Sequence, residues 1–174
     1  MLTSRQRRMS ALVIVHPNWY LSQAGIDYGL NKYNSDQEYR DAISNYFESV
    51  LRLTHSAVER GTITLVTWLR FYKDEFADGH DEEGMTHKID LDEEYDDLKY
   101  LKFHNALAAI KAPNYQFNHE NDPADSIGTS ILRNLQNDSK IIVTGGHEHH
   151  CVADTIKEIH KMLPRTRLIR KYLF

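Results

Sequence analysis

The sequence has few of the features that would suit a secreted, membrane-spanning or nucleic-acid-binding protein. Its 174 residues include one cysteine, Cys151, so no internal disulfide can form and a cytoplasmic location is expected. No apolar run approaches the ~20 residues of a membrane-spanning helix. The basic start of the chain is followed by five apolar residues, Ala11–Val15, fewer than the roughly 7–15 of a secretion signal. No membrane partner is therefore expected.

An excess of basic charge is also absent. A net charge of −4 and an isoelectric point near 6.2 argue against a general nucleic-acid binder. At this length one domain over 1–174 is expected. Residues 74–97 hold 12 of the 25 acidic residues, which predicts a solvated acidic loop or insertion around 72–97 that leads into a helix near Asp92. An acidic loop that binds a partner or a metal is the alternative.

The first half of the chain has the pattern of a βαβ unit. Ala11–His16 begins with a continuous apolar run, typical of a strand buried on both faces. Tyr39–Arg60 repeats apolar residues with a 3.6-residue period, and Gly61 closes the predicted helix. Thr62–Trp68 follows as a β-branched strand. The two strands should therefore be parallel and joined by a right-handed crossover.

The second half repeats this alternation. A short helix capped by Ser126 or Ser130 precedes a predicted buried strand at Lys140–Thr144. A helix is predicted over His149–Leu163, and a final edge strand over Thr166–Leu173. Strands that alternate with helices predict an α/β fold, a three-layer doubly wound sandwich with a mostly parallel sheet.

Reactive side chains follow three of the predicted strands. In open α/β sheets the functional crevice lies outside the carboxyl ends of the strands. His16 and Asn18 follow the first strand, Trp68 ends the second, and Cys151 follows the Gly145–Gly146 turn. Near a helix N-terminus, backbone N–H groups and the helix dipole favour a thiolate and could stabilise an oxyanion. A buried structural cysteine is the other interpretation of Cys151.

The residues around Cys151 resemble those of the isochorismatase-like cysteine hydrolases. That family has a Gly-Thr helix with leucines, an apolar strand ending in Gly, and a nucleophilic Cys-Val followed by a Thr. The matching residues here, in the same order, are Gly128, Thr129, Leu132, Leu135, Gly145, Cys151, Val152 and Thr155. The opening βαβ unit also agrees, so the resemblance covers most of the chain and implies the isochorismatase-like fold.

The resemblance implies a catalytic set of three residues. In the family an Asp after the first strand accepts the thiol proton, a Lys before the Gly-Thr helix supports the thiolate, and the Cys attacks an amide-like carbon. Cys151 carries over directly, and Lys111 is taken as the Lys. His16 stands where the family has the Asp, and Asn18 where it commonly has Gln. His16 is therefore predicted to be the general base, because an imidazole with a pKa of about 6.5 suits that task.

The substrate pocket is predicted from the residues that leave the strand ends. Trp19, Tyr20 and Trp68 are expected to form apolar walls, and Asn18, Gly146 and His147 to complete the pocket. The Gly146–His147 peptide falls where the family has a cis bond.

The ten histidines raise a metal site as an alternative. The nicotinamidase branch of the family binds a divalent metal through an Asp and histidines after the second strand, but its Asp-x-His spacing is absent here. The histidines near Cys151 lack the spacing of a zinc motif. The residues concerned are Asp74, His80, His87, His147, His149 and His150. They are interpreted as polar loop residues, and no cofactor is expected.

Two functions remain open. The first is a cysteine hydrolase that acts on a small amide-like or related substrate, at a non-peptide C–N or ether bond. The second is a catalytically inactive protein of the same fold with a binding or assembly role, which the absent Asp favours. The resemblance implies a homo-oligomer in both cases, and the basic edge strand at Thr166–Leu173 could pair with another subunit.

Overall fold

The computed structural model describes residues 10–21, 23–68, 102–103, 105–107, 109–110, 115–119, 139–147 and 149–174. Five strands lie within these ranges: β1 (Ser10–Val15), β2 (Ile63–Trp68), β3 (Tyr115–His119), β4 (Lys140–Gly145) and β5 (Arg167–Arg170). The helices are α1 (Gln23–Lys32), α2 (Asp36–Glu59) and α3 (Cys151–Met162), with a short 3-10 helix at Trp19–Leu21. The described residues between 102 and 107 are also helical.

The strands form one sheet in the order β3-β2-β1-β4-β5. Every pairing between these described strands is parallel. Strand β1 is central, with Val15 opposite Thr67 on one side and Gly145 on the other. Its run of apolar residues is buried at every position from Ala11 to Val15, as expected for a strand covered on both faces. The order places β5 at an edge, as predicted.

Helices cover both faces of the sheet. On one face, Leu12 and Ile14 pack with α2 residues such as Tyr46 and Val50. On the other face, residues of β1 and β4 pack against Val152 and Ile159 of α3. Helix, sheet and helix make three layers, so the predicted α/β sandwich with a parallel sheet is confirmed. Within the described residues, no helix is both long and apolar enough to cross a membrane.

Helix α2 begins and ends with local hydrogen bonds. The Ser35 hydroxyl accepts the Glu38 N–H at 3.2 Å, an N-cap interaction. At the other end the Gly61 N–H donates to Val58 O and the Thr62 N–H to Ala57 O, both at 2.9 Å. These two bonds make a Schellman motif, so the predicted helix end at Gly61 is confirmed.

Three elements differ from the sequence-based expectation. No element was predicted over residues 23–32, which form α1, and β3 lies where no strand was predicted. The last strand is shorter than predicted, because the chain leaves it after Arg170. Phe174 then stacks on Tyr20 with ring centroids 3.8 Å apart, which attaches the end of the described chain to the α2 side of the sheet. The predicted helix after Ser126 or Ser130 lies outside the described residues, as does the acidic stretch 74–97.

Candidate functional site

The candidate site lies at the carboxyl ends of β1 and β4. From β1 the chain builds the sheet outward through β2 and β3, whereas β4 pairs with the opposite side of β1. The strand order therefore reverses between β1 and β4. Crevices at such reversals are where open α/β sheets bind ligands. His16 follows β1 there, and the segment from Gly146 to Cys151 follows β4.

His16 turns the chain sharply after β1. It is buried, with 1% of its surface exposed, and its φ is +43°. Its N–H donates to Thr67 O at 2.8 Å and its carbonyl accepts the Trp19 N–H at 2.9 Å. A left-handed conformation costs a non-glycine residue about 1–2 kcal/mol. Such a conformation at a strand end suggests a functional role.

Two glycines allow β4 to end against β1. Gly145 has φ +147°, and a Cβ there would lie 1.9 Å from Val15 O. A Cβ at Gly146 would lie 2.6 Å from both His16 O and Trp19 Cβ, while its N–H donates to Val15 O at 3.0 Å. A larger residue at either position would separate the two strand ends. The glycines thus bring the segment after β4 into contact with Trp19.

The Gly146–His147 peptide, which falls where the family has a cis bond, is trans. The chain changes direction instead through backbone torsions on either side of Gly146. Gly145 has φ +147°, and His147 has φ +50°. The His147 carbonyl then accepts the N–H groups of His150, at 3.1 Å, and Val152, at 3.4 Å. These bonds fasten the turn to the first residues of α3.

The Cys151 thiol contacts His147. Cys151 is half-buried and is the first residue of α3. Its Sγ lies 3.6 Å from His147 Nδ1, within hydrogen-bond range for sulfur, and which atom donates depends on the tautomer. Sequence reasoning had assigned His147 to the pocket and the base role to His16. The four-residue spacing between His147 and Cys151, directly after the Gly145–Gly146 turn, was the available signal for this contact.

The rings of Trp19 and His150 lie close to the His147 imidazole. The Trp19 ring stacks on His147 with centroids 4.3 Å apart and planes 2° apart. The His150 ring lies 4.4 Å from His147 at 37°. Trp19 is 5% exposed and also contacts Tyr20 edge-on at 5.1 Å. The predicted pocket residues Trp19, Gly146 and His147 are therefore brought together beside Cys151.

The other predicted pocket residues are placed as follows. Asn18 is fully buried, in the turn after His16. Tyr20 is buried in the aromatic core, where it contacts Phe174 and Tyr46. Trp68 is the last residue of β2 and pairs with His119 of β3.

Lys111 lies outside the described residues. In the chain it precedes Tyr115, the first residue of β3, by four positions. Because β3 is parallel to β2, its carboxyl end lies at the same edge of the sheet as the site and carries His119. Strand β3, which was not predicted, therefore lies between Lys111 and the Gly-Thr segment at 128–129 along the chain.

Charge near the turn comes from the first turn of α3. The Lys157 ammonium donates to Asp154 Oδ1 at 2.7 Å and holds the pKa of that carboxyl below its usual 3.8. The charges of Lys157, His150 and His147 act in the same direction, while slight burial opposes them. Asp154 is thus an anion near His147 and His150. Among the described residues, no group of three or more His, Cys, Asp or Glu is arranged to hold a metal ion.

The chain has little similarity to known proteins in sequence or structure. No protein-family model matches the chain, and no curated protein matches it. Among solved structures, the chain is similar to one described as "Structure of MAR1 Ribonuclease from Caenorhabditis elegans". The TM-score is 0.45 at 15% identity, over 96% of this chain and 67% of that one. The fold class stated above rests on the sheet topology of the chain itself.

Proposed function

We propose that the chain is an isochorismatase-like cysteine hydrolase that cleaves a small amide-like or related substrate, with Cys151 as the nucleophile. The observation that carries this proposal is the 3.6 Å contact between Cys151 Sγ and His147 Nδ1, at a helix N-terminus beside the reversal point of the sheet. A neighbouring imidazole and a helix N-terminus both favour a thiolate. His147 is therefore the base of the proposed mechanism, with His16 as the competing assignment from sequence.

The proposed reaction has two stages. His147 Nδ1 takes the thiol proton while Cys151 Sγ bonds to the substrate carbonyl carbon, and the oxygen becomes an oxyanion near the N–H groups of the first turn of α3. The C–N bond then breaks, and His147 gives its proton to the departing amine. In the second stage His147 takes a proton from water, the hydroxide attacks the thioester, and the acid leaves as the thiol is restored. This chemistry uses no cofactor.

The pocket of this enzyme would be small and partly aromatic. Trp19 and Gly146 lie directly beside His147, and we propose that Asn18 and Trp68 complete the pocket as predicted. A compact substrate suits a crevice in which strand ends approach so closely. A cytoplasmic location and a homo-oligomer belong to the same proposal.

A catalytically inactive protein of the same fold is the second candidate. What favours it is the replacement of the family's Asp by His16, whose backbone is held in the turn by hydrogen bonds to Thr67 and Trp19. In this case the fold would serve for binding or assembly, and Cys151 would react as an ordinary thiol.

Alkylation of Cys151 by iodoacetamide from pH 5 to 9 tests the proposal. The chain has one cysteine, so the rate reports this thiol alone. An ordinary cysteine thiol has a pKa of about 8.5. We expect reaction well below that pH in wild type and its loss in His147→Asn. His16→Asn is a matched control, because both histidines have positive φ and Asn tolerates that conformation. Dependence on His16 and not on His147 would reassign the base to His16. An ordinary profile in all three proteins would favour the inactive alternative.

Lys111 and His119 form a second pair of variants. If Lys111 supports the thiolate as proposed, Lys111→Ala should move the onset of alkylation to higher pH, because a positive charge is removed. If the carboxyl end of β3 supplies the support instead, His119→Ala should have the larger effect. Equal profiles for both variants and wild type would leave the His147 contact as the sole source of activation among these residues.

A further inference from the structure

The Trp19 indole stacks in parallel on the His147 imidazole. The two planes are 2° apart with centroids at 4.3 Å, so the imidazole lies flat over the face of the indole. The face of an aromatic ring carries negative charge density and attracts a cation. Among aromatic side chains, the indole of Trp attracts a cation most strongly. The arrangement thus favours the protonated form of His147 over the neutral one.

Trp19 is held where it is by its own neighbours. Its backbone N–H donates to His16 O at 2.9 Å, and its side chain contacts the rings of Tyr20, at 5.1 Å, and Tyr28, at 5.9 Å. With 5% of its surface exposed, the indole is shielded from water on most sides. Desolvation strengthens a cation–π contact. Gly146 lets the indole come this close, because a Cβ there would lie 2.6 Å from Trp19 Cβ.

We propose that Trp19 is a positioning residue that stacks on His147 and stabilises it as the imidazolium partner of the Cys151 thiolate. This inference rests on the proposed function, in which His147 takes the thiol proton. The imidazolium exists only after that transfer, so a contact that stabilises it favours the ion pair over the neutral thiol and imidazole. Trp19 contacts neither sulfur nor substrate in this role.

Other ionisable groups surround His147 and must be separated from Trp19. His150 lies 4.4 Å away ring to ring, and a positive charge on that ring would oppose an imidazolium at His147. Asp154 interacts electrostatically with His147 and His150, and its negative charge would favour the imidazolium form of His147. His16 lies on the neighbouring strand end, with its carbonyl close to Gly146. None of these groups is altered in variants at position 19.

The first measurement is the pH profile of Cys151 alkylation in Trp19→Leu and Trp19→Phe. Loss of the cation–π contact should move the acid limb of the profile to higher pH, and slow alkylation at pH 6 by roughly 3- to 30-fold. The rate at pH 9, where the thiolate forms regardless, should not change. Trp19→Phe keeps a ring with a weaker face and should give an intermediate shift. Tyr172→Leu is the control for loss of an exposed aromatic side chain, because Tyr172 is 57% exposed, and it should leave the profile unchanged.

The second measurement needs no change at Trp19. A protonated imidazole quenches the fluorescence of an indole stacked on it, so wild-type emission should fall as His147 gains a proton. The same titration in His147→Asn should lack this step. The chain has two tryptophans, and Trp68 is the same in both proteins, so the difference isolates Trp19. This readout keeps the test decisive if the Trp19 variants do not fold.

The outcomes distinguish the two proposals. The role of Trp19 would be overturned if the acid limb in both Trp19 variants matched that of wild type. It would also be overturned if tryptophan emission titrated identically with and without His147. Either result would leave the Cys151–His147 pair intact. An ordinary wild-type thiol, unchanged in His147→Asn, would instead remove the pair itself and the role of Trp19 with it.

Discussion

The two faces of the sheet are built from different kinds of side chain. The face under α2, here the α2 face, is rich in aromatic residues: Trp19, Tyr20, Tyr39, Tyr46, Phe47 and Phe103. The face under α3, here the α3 face, is aliphatic throughout: Ala11, Val13, Val15, Leu65, Ile141, Val143, Val152, Ile159 and Leu163.

This difference matters because the candidate site draws on both faces. Aromatic rings prefer particular relative orientations, so the α2 face fixes where Trp19 lies through a chain of ring contacts. The α3 face consists of aliphatic side chains, which fill space without a preferred relative orientation. It packs against the helix whose first residue is Cys151. Trp19 from one face and the Cys151 turn from the other meet at His147. Precise placement comes from the aromatic face, and the nucleophile from the aliphatic one.

The largest effect is expected on the α2 face. Phe47 is 6% exposed and stacks on Phe103 with centroids 4.0 Å apart. Phe47→Ala should lower the free energy of unfolding by about 4 kcal/mol, since it removes buried area and leaves a cavity. Urea denaturation measures this change. Phe47→Leu keeps most of the volume and should lose less, and equal losses in the two variants would mean that ring geometry dominates over volume.

The α3 face should be more tolerant of a change in shape. Ile159 is fully buried between α3 and the sheet, so Ile159→Ala should cost about 3 kcal/mol. Ile159→Leu conserves volume and should cost less than ~1.5 kcal/mol. Both are measured by urea denaturation. A cost for Ile159→Leu as large as that of Ile159→Ala would contradict the description of this face as packed by volume.

Phe174 tests how far the aromatic network extends. Its ring stacks on Tyr20 at 3.8 Å and meets the edges of Tyr39 and Tyr46. Because Phe174 is half-buried, Phe174→Ala should cost about 1–2 kcal/mol by thermal or urea denaturation. The control is Tyr172→Ala, at a residue 57% exposed, which should change stability by less than ~0.5 kcal/mol. Similar losses for the two would show that the stack contributes nothing beyond ordinary surface contacts.

The smallest effect is expected from the charges on α3. The pKa of Asp154 is lowered, chiefly by its hydrogen bond from Lys157, so its contribution to stability is present above pH 3.8 and is lost as the pH falls through its folded-state pKa. Its side chain is 63% exposed, so Asp154→Asn should cost only a few tenths of a kcal/mol at pH 7. Urea denaturation at pH 7 and pH 3 measures this, with Lys161→Gln as a control for an exposed ion pair. A loss of stability in Asp154→Asn that was larger at pH 3 than at pH 7 would contradict a lowered pKa for Asp154.

The elements predicted correctly carry their signal in a short stretch of sequence. Strands β1 and β4 contain continuous apolar runs, β2 is rich in β-branched residues, and α2 and α3 repeat apolar residues at helical spacing. Their alternation implies a parallel sheet because a right-handed crossover leaves few other arrangements. Cys151 at the start of α3 followed from the same pattern.

The elements that were missed depend on contacts distant in sequence. In α1, Gly29 lies against the Tyr39 ring, where a Cβ would be 1.9 Å from it, and the Tyr39 hydroxyl donates to the carbonyls of Tyr20 and Gly25 at 2.7 Å. A glycine-containing polar segment gives no helical signal without its partner. Strand β3 has five residues, and its place is set by pairing with β2, which lies more than 40 residues earlier.

The sequence by itself determined the layers, the direction of the strands and the position of a thiol at a helix N-terminus, because periodicity and apolar runs are local properties. Only the tertiary structure decided which histidine the thiol contacts. His147 reaches Cys151 and Trp19 because Gly145 and Gly146 allow β4 to end against β1. That approach depends on backbone torsions and on atoms from a strand 130 residues away, which no local pattern of residues specifies.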